Sequence, residues 1–130
     1  MADDLLLTAC AARDRAHAPY SNFKVGAAVR GESGRIYAGC NVENAAYPEG
    51  ICAEASAIAA MILAGETRIM EILVVGVSDE LVTPCGGCRQ RIREFADPHT
   101  SIHIAAPDGV LETLTLEALL PFSFGPDNLS

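Results

Sequence analysis

The chain lacks the features that would send it into a membrane or out of the cell. Its 130 residues open with MADDLLLTACAARDRA, which has no basic leader and no cleavage pattern, and no apolar run approaches the ~20 residues a membrane span needs. A soluble, cytosolic protein is the expectation. Positive charge is in short supply: 9 Lys and Arg stand against 17 Asp and Glu, leaving a formal charge of −8 spread along the chain. A protein that neutralises phosphates carries a basic face, so a polynucleotide partner is argued against. The densest basic stretch, Arg89, Arg91 and Arg93, holds alternating positions that point apart on a helix; it reads as solvated surface rather than a phosphate patch. An even set of cysteines is missing too. There are five, and in a reducing compartment spaced thiols serve as metal ligands or small buried hydrophobes before they pair as disulfides. Repeats, linkers and low-complexity stretches are also absent, so residues 1–130 read as one domain, with half of the residues apolar to build its core.

What is present is an alternation of helical and strand patterns. Leu5, Leu6, Ala9, Cys10 and Ala12 recur at helical spacing across 3–17 until Pro19 stops them. Two short strands, about 23–30 and 35–40, flank a turn with glycine at both ends, Gly31 and Gly34. ASAIAAMILAG at 55–65 is apolar nearly all round, as a helix buried on most sides is, and Gly65 supplies its stop. EILVVGVS at 71–78 is a continuous run of the kind found in a central strand covered on both faces. A helix follows Pro84, with Cys88, Ile92, Phe95 and Ala96 on one stripe and Pro98 at its end. Strands at 101–106 and 110–115 flank a Pro107-Asp108-Gly109 turn, and a short helix at 115–120 leads into the tail. The turn is too short for a parallel crossover, so these last two strands must be antiparallel. This order implies a three-layer α/β/α domain with a mixed sheet.

TPCGGCRQ at 83–90 places Cys85 and Cys88 three residues apart. No βαβ unit of the thioredoxin kind precedes it, which leaves metal binding ahead of redox chemistry. A catalytic zinc takes three protein ligands and keeps a position open for water. Cys10 sits mid-helix on an apolar stripe and reads as a small buried hydrophobe. His103 alternates with Ile102 and Ile104 as a solvent-facing strand residue does, His99 follows the third helix, and His17 sits at a helix end that welcomes a cation. Cys52 opens a helix, as the CxxC does, and helix starts favour thiolates. Cys40 remains a possible fourth ligand, which would close the site into a structural one. Glu54 stands in the first turn of a nearly all-apolar helix; it either caps that helix or faces something polar, such as an activated water.

PYSNFKVGAA at 19–28, GCNVENAAYP at 39–48, CAEASAI at 52–58, PCGGCRQ at 84–90 and LLPFSFGPDNL at 119–129 together resemble the zinc-dependent cytidine deaminases, in order and over nearly the whole chain. The general deaminase signature is one the underlying chemistry of flipped-base and nucleoside deaminases shares. The short single domain is similar to the small homotetrameric type. The resemblance implies a cytidine deaminase-like fold with a five-stranded mixed sheet. It also implies hydrolytic conversion of cytidine or 2′-deoxycytidine to the uridine counterpart and ammonia, in pyrimidine salvage. Carried over, Cys52, Cys85 and Cys88 bind one zinc ion per chain and Glu54 shuttles protons from water to the ring N3 and the leaving amine. Asn41 and Glu43 hold the ribose hydroxyls, Phe23 packs on the pyrimidine, and backbone groups of Ala53 and Thr83 meet its polar edge. Ala46, Tyr47 and Phe124 serve the active site of a neighbouring subunit. The antiparallel last strands resemble the free-nucleoside branch rather than the polynucleotide one.

One departure stands out. Three thiolates outweigh one Zn²⁺ by a negative charge, and many tetrameric relatives follow the glutamate with an arginine that can reach the sulfurs; here Ala55 and Ser56 follow. Compensation then falls to backbone N–H groups at the helix starts or to an arginine such as Arg89 bending back. Two other functions compete: deamination of a cytosine nucleoside antibiotic such as blasticidin S, which the ribose-type NVENA motif argues against, and a non-catalytic structural zinc protein.

Overall fold

A run of β-branched residues needs cover on both faces, and this chain provides it at the centre of a five-stranded sheet. In the computed structural model, which describes residues 2–129, the elements follow in the expected order: α1 (Ala2–Arg13), β1 (Gly26–Gly31), β2 (Ile36–Cys40), α2 (Ala53–Leu63), β3 (Ile69–Val75), α3 (Gly86–Phe95), β4 (Ser101–Ala106), β5 (Gly109–Thr115) and α4 (Leu116–Leu119). The strands lie in the order β2-β1-β3-β4-β5. Only β3 and β4 run parallel, with Glu71 opposite Ser101, because α3 carries the chain across between them. All other pairs are antiparallel, the closing pair β4–β5 included.

Two cores form, one on each face. On one side α1 lays Leu5 and Ala9 against Ala28, Leu73, Val75 and Ala105. On the other, α2, α3 and α4 bring Ala57, Ile58, Met61, Ile92 and Leu116 onto Val29, Ile72, Ile102 and Ile104. Each fully buried Leu, Ile or Met contributes roughly 1.5–3 kcal/mol, so these layers hold the helices in register with the sheet. Two glycines let the helices come close. A Cβ on Gly26 would collide with the Ala9 carbonyl, and one on Gly39 would collide with the backbone of α2, 2.5 Å from the Ala53 carbonyl oxygen.

Helix ends obey their local chemistry. Asp3 and Asp4 occupy the first turn of α1 and Arg13 the last, complementing the dipole. At the end of α2, Gly65 adopts φ +94; its N–H donates to Ile62 and that of Glu66 to Met61, a Schellman closure that only glycine takes without strain. Some boundaries fall short of the sequence expectation for tertiary reasons. α1 stops at Arg13 rather than 17 because the His17 N–H donates to the Asn41 carbonyl and the Glu43 N–H to the His17 carbonyl, drawing the chain into a bridge beside residues 41–43. β3 ends at Val75, and the next carbonyl, Gly76, accepts from Arg13 Nη1 at 2.8 Å.

His103 was expected to face solvent and does not. Its ring nitrogens meet Thr113 Oγ1 at 2.9 Å and Glu71 Oε1 at 2.8 Å, and its side chain is only 12% exposed. The alternation with Ile102 and Ile104 marks two covered faces, the second finished by a polar row in which Arg30 Nε donates to Glu71 and Arg30 Nη2 to Asp4. Among the described residues, no helix is long and apolar enough to cross a membrane.

Candidate active site

Two helices begin at cysteines. Cys52 is the N-cap of α2 and Cys85 the N-cap of α3, both with extended backbone, and Cys88 lies in the first turn of α3. Helix starts present free N–H groups and about half a positive charge, a setting that favours thiolates. Because α2 and α3 lie side by side on one face of the sheet, their starts converge, and the sulfurs of Cys52, Cys85 and Cys88 all fall within 4.8 Å of one another. Cys52 and Cys85 are 3.9 Å apart. A tetrahedral zinc with Zn–S bonds of about 2.3 Å holds its sulfurs about 3.8 Å apart, so donor type, number and spacing all suit that ion. Cys40, the possible fourth ligand, stands at the end of β2 opposite Gly26, outside the cluster. Among the described residues three sulfurs gather, leaving a fourth tetrahedral position without a protein ligand.

Two of the three thiols resist ionising and the third does not. Burial pushes the Cys88 thiol far up, with Glu54 and the other two sulfurs adding to the rise, and burial raises Cys52 as well. Cys85 is the exposed member; burial opposes its ionisation, but contacts from Cys88 and Cys52 outweigh that and lower it. Glu54 sits in the first turn of α2 and is 5% exposed. Burial raises its carboxyl above the usual carboxylate range, offset only in part by its own N–H, the Cys88 thiol and the Arg91 charge.

A cavity of about 170 Å³ opens in front of this group, lined by Val25, Asn41, Cys52, Ala53, Glu54, Val74, Val82, Thr83 and Cys85. Six residues expected at the site from sequence thus line one space. A second cavity of about 340 Å³ is lined by Tyr20, Ser21, Glu43, Asn44, Tyr47 and Gly50, so Asn41 lines the first cavity and Glu43 the second. Asn41 Oδ1 accepts from the Val25 N–H at 2.9 Å, and its Nδ2 donates to the Phe23 carbonyl at 2.8 Å. Glu43 accepts from the Ser21 hydroxyl and from the N–H groups of Tyr20 and Ser21. The Ser21 hydroxyl, ahead of those N–H groups, holds the Glu43 carboxyl below its ordinary range against the cost of burial. Phe23 and Ala46 line neither cavity; both are exposed. Phe124 is exposed too and lies in the tail, which is tied to α3 by Gln90 Nε2 donating to the Phe124 carbonyl.

Arg89 and Arg93 are half-buried rather than solvated, while Arg91 is exposed. Arg89 donates to the carbonyls of Pro84 and Leu119 and to Thr83 Oγ1, stapling the loop that delivers Cys85. It therefore does not bend to the sulfurs. Arg93 donates to Ser123 and Asp127. Arg91 reaches the cluster: its Nη1 donates to Cys88 Sγ at 3.4 Å. Sequence reasoning missed Arg91, although its spacing from Cys88, three residues along one helix, was there to be seen. It also missed the walls Val25, Val74 and Val82, whose assembly depends on the loop before α3 folding back over the sheet.

An α/β fold that clusters three thiols, two of them lining a cavity together with a buried carboxyl, belongs to the class of zinc-dependent hydrolases. Comparison with known proteins agrees. The family model for the cytidine and deoxycytidylate deaminase zinc-binding region matches residues 1–104. The chain is 40% identical to a cytidine deaminase of Sporosarcina psychrophila, over 92% of this chain and 88% of that protein. It is 34% identical to one of Halalkalibacterium halodurans, over 97% and 96%. The crystal structure of cytidine deaminase from Burkholderia pseudomallei superposes with a TM-score of 0.89 at 39% identity, covering 95% of this chain and 99% of that one. The chain belongs to the cytidine and deoxycytidylate deaminase family.

Proposed function

We propose that this protein deaminates cytidine and 2′-deoxycytidine hydrolytically, giving uridine or 2′-deoxyuridine and ammonia. One observation carries the reading: the buried Glu54 lines the same cavity as Cys52 and Cys85, two members of the sulfur cluster. Family membership and the name cytidine deaminase borne by its relatives supply the substrate class. Cys52, Cys85 and Cys88 would hold one zinc ion, which would supply Lewis acidity to make water a better nucleophile near neutral pH.

Glu54 takes a proton from the attacking water and delivers it to N3 of the ring, making C4 electrophilic. Oxygen adds at C4, Glu54 carries the second water proton to the exocyclic amine, and the C4–N bond breaks. Both protons are then placed, one on N3 of the product and one on ammonia. A group so positioned contributes typically ~10²- to 10⁴-fold in rate. The Ala53 N–H, at the start of α2 and without an intrahelical acceptor, and the Thr83 backbone meet the polar edge of the base. Phe23 packs on the pyrimidine, while Asn41 and Glu43 hold the ribose hydroxyls; the lowered carboxyl of Glu43 suits it to accept them.

In this reading residues 1–130 form one deaminase domain, working as a cytoplasmic homotetramer in pyrimidine salvage. Ala46, Tyr47 and Phe124 complete a neighbour's pocket, which gives a purpose to the exposed rings of Tyr47 and Phe124. The test is Glu54→Gln, followed through the absorbance of cytidine and the release of ammonia. The variant should keep its zinc and its melting temperature and lose turnover. Turnover at the native rate would remove Glu54 from the chemistry, and a zinc-loaded native protein inert towards cytidine would favour a structural zinc protein.

A further inference from the structure

The excess charge of the metal site finds its partner on α3. Three thiolates around Zn²⁺ carry one net negative charge, which a neighbouring cation offsets. A cation beside the sulfurs therefore favours the loaded state. Position 55, next to Glu54, is alanine, and Arg89 and Arg93 are committed to the contacts that anchor the 83–84 loop and the tail. Arg91 is three residues from Cys88 on one helical face and places Nη1 3.4 Å from its sulfur. Its guanidinium crosses Gly87, where a Cβ would lie 3.3 Å from Arg91 Nη1 and 4.0 Å from Cys85 Sγ. The bare glycine thus leaves room for the guanidinium between the two cysteines of the CxxC, and a guanidinium stays charged at any working pH.

We propose that Arg91 is a positioning residue that holds the Cys88 sulfur and offsets the negative charge of the zinc-loaded site. The proposal rests on the zinc reading above. Arg91 is an exposed residue whose contact with Cys88 is part-buried, so the attraction is partly screened and must weaken as salt rises. Partners placed behind metal ligands typically contribute 10- to 100-fold in metal affinity or activity.

The experiment is competition for zinc between the loaded protein and a fluorescent chelator, at low and high salt, for the native chain, Arg91→Gln and Arg91→Lys. Arg91→Gln should hold zinc about 10- to 100-fold less tightly at low salt, Arg91→Lys should fall between, and the gap should narrow at high salt. Arg91→Gln matching the native affinity within about twofold, a margin below that expected of such a partner, overturns the proposal. So does a gap that ignores salt, which would mark a packing role. A native protein that takes up no zinc would instead sink the metal reading itself.

Discussion

At the scale of single residues, the chemistry was legible where one residue type answers one physical demand. Cys52, Cys85 and Cys88 announced themselves because helix starts stabilise thiolates, and Glu54 because a carboxylate in an apolar helix must face something polar. Arg91 was not legible, since a long side chain can turn to solvent or fold back across Gly87, and three-dimensional packing makes that choice. Glu66 was equally silent and offers a test. The hydroxyl of Ser33, then that of Tyr37 and the Ser33 N–H, hold its carboxyl down at about 2 against an ordinary 4.5. A lowered carboxyl stabilises the fold fully above its unfolded value, and that stabilisation is lost as pH falls through the folded one. Glu66→Gln should therefore melt lower than the native chain at pH 7, and the two melting curves should converge as pH drops from 4.5 towards about 2. Curves that stay parallel across that window would leave Glu66 without this role.

At the scale of elements, long periodic segments were readable and their ends were not. The buried strand β3, the apolar helix α2 and the antiparallel last pair all emerged from pattern and turn length, whereas α1 was cut short by a bridge to residues 41–43 that no local pattern encodes. Convergence of α2 and α3 was suspected only because both open at cysteines; the distance between their starts is set by packing on the sheet. Gly39 is part of that packing. Gly39→Ala should push α2 off β2, lower stability by about 1–3 kcal/mol and loosen zinc through the displaced Cys52. Gly109→Ala is the matched control, because its Cβ would meet nothing within 4 Å, and denaturant melts with a zinc count compare the two. Equal behaviour would detach Gly39 from the seating of α2.

At the scale of the whole molecule, the sequence carried the fold class through its element order but little of the assembly, since exposed rings such as Tyr47, Phe122 and Phe124 look the same in a loop or at an interface. The proposed homotetramer predicts that light scattering returns four times the 13.7 kDa chain mass. The proposal that Phe124 completes a neighbour's pocket predicts that Phe124→Ala lowers kcat/KM for cytidine by about tenfold with the oligomeric state unchanged, the loss of an aromatic contact of ~1.5 kcal/mol. Native kinetics in that variant would take Phe124 out of the pocket. Everything larger rests on a metal held by three sulfurs and open on its fourth side. Zinc K-edge absorption on the purified protein measures this most directly. One zinc per chain with three sulfurs at about 2.3 Å and one lighter ligand is expected, and four sulfurs, or no metal, would contradict it.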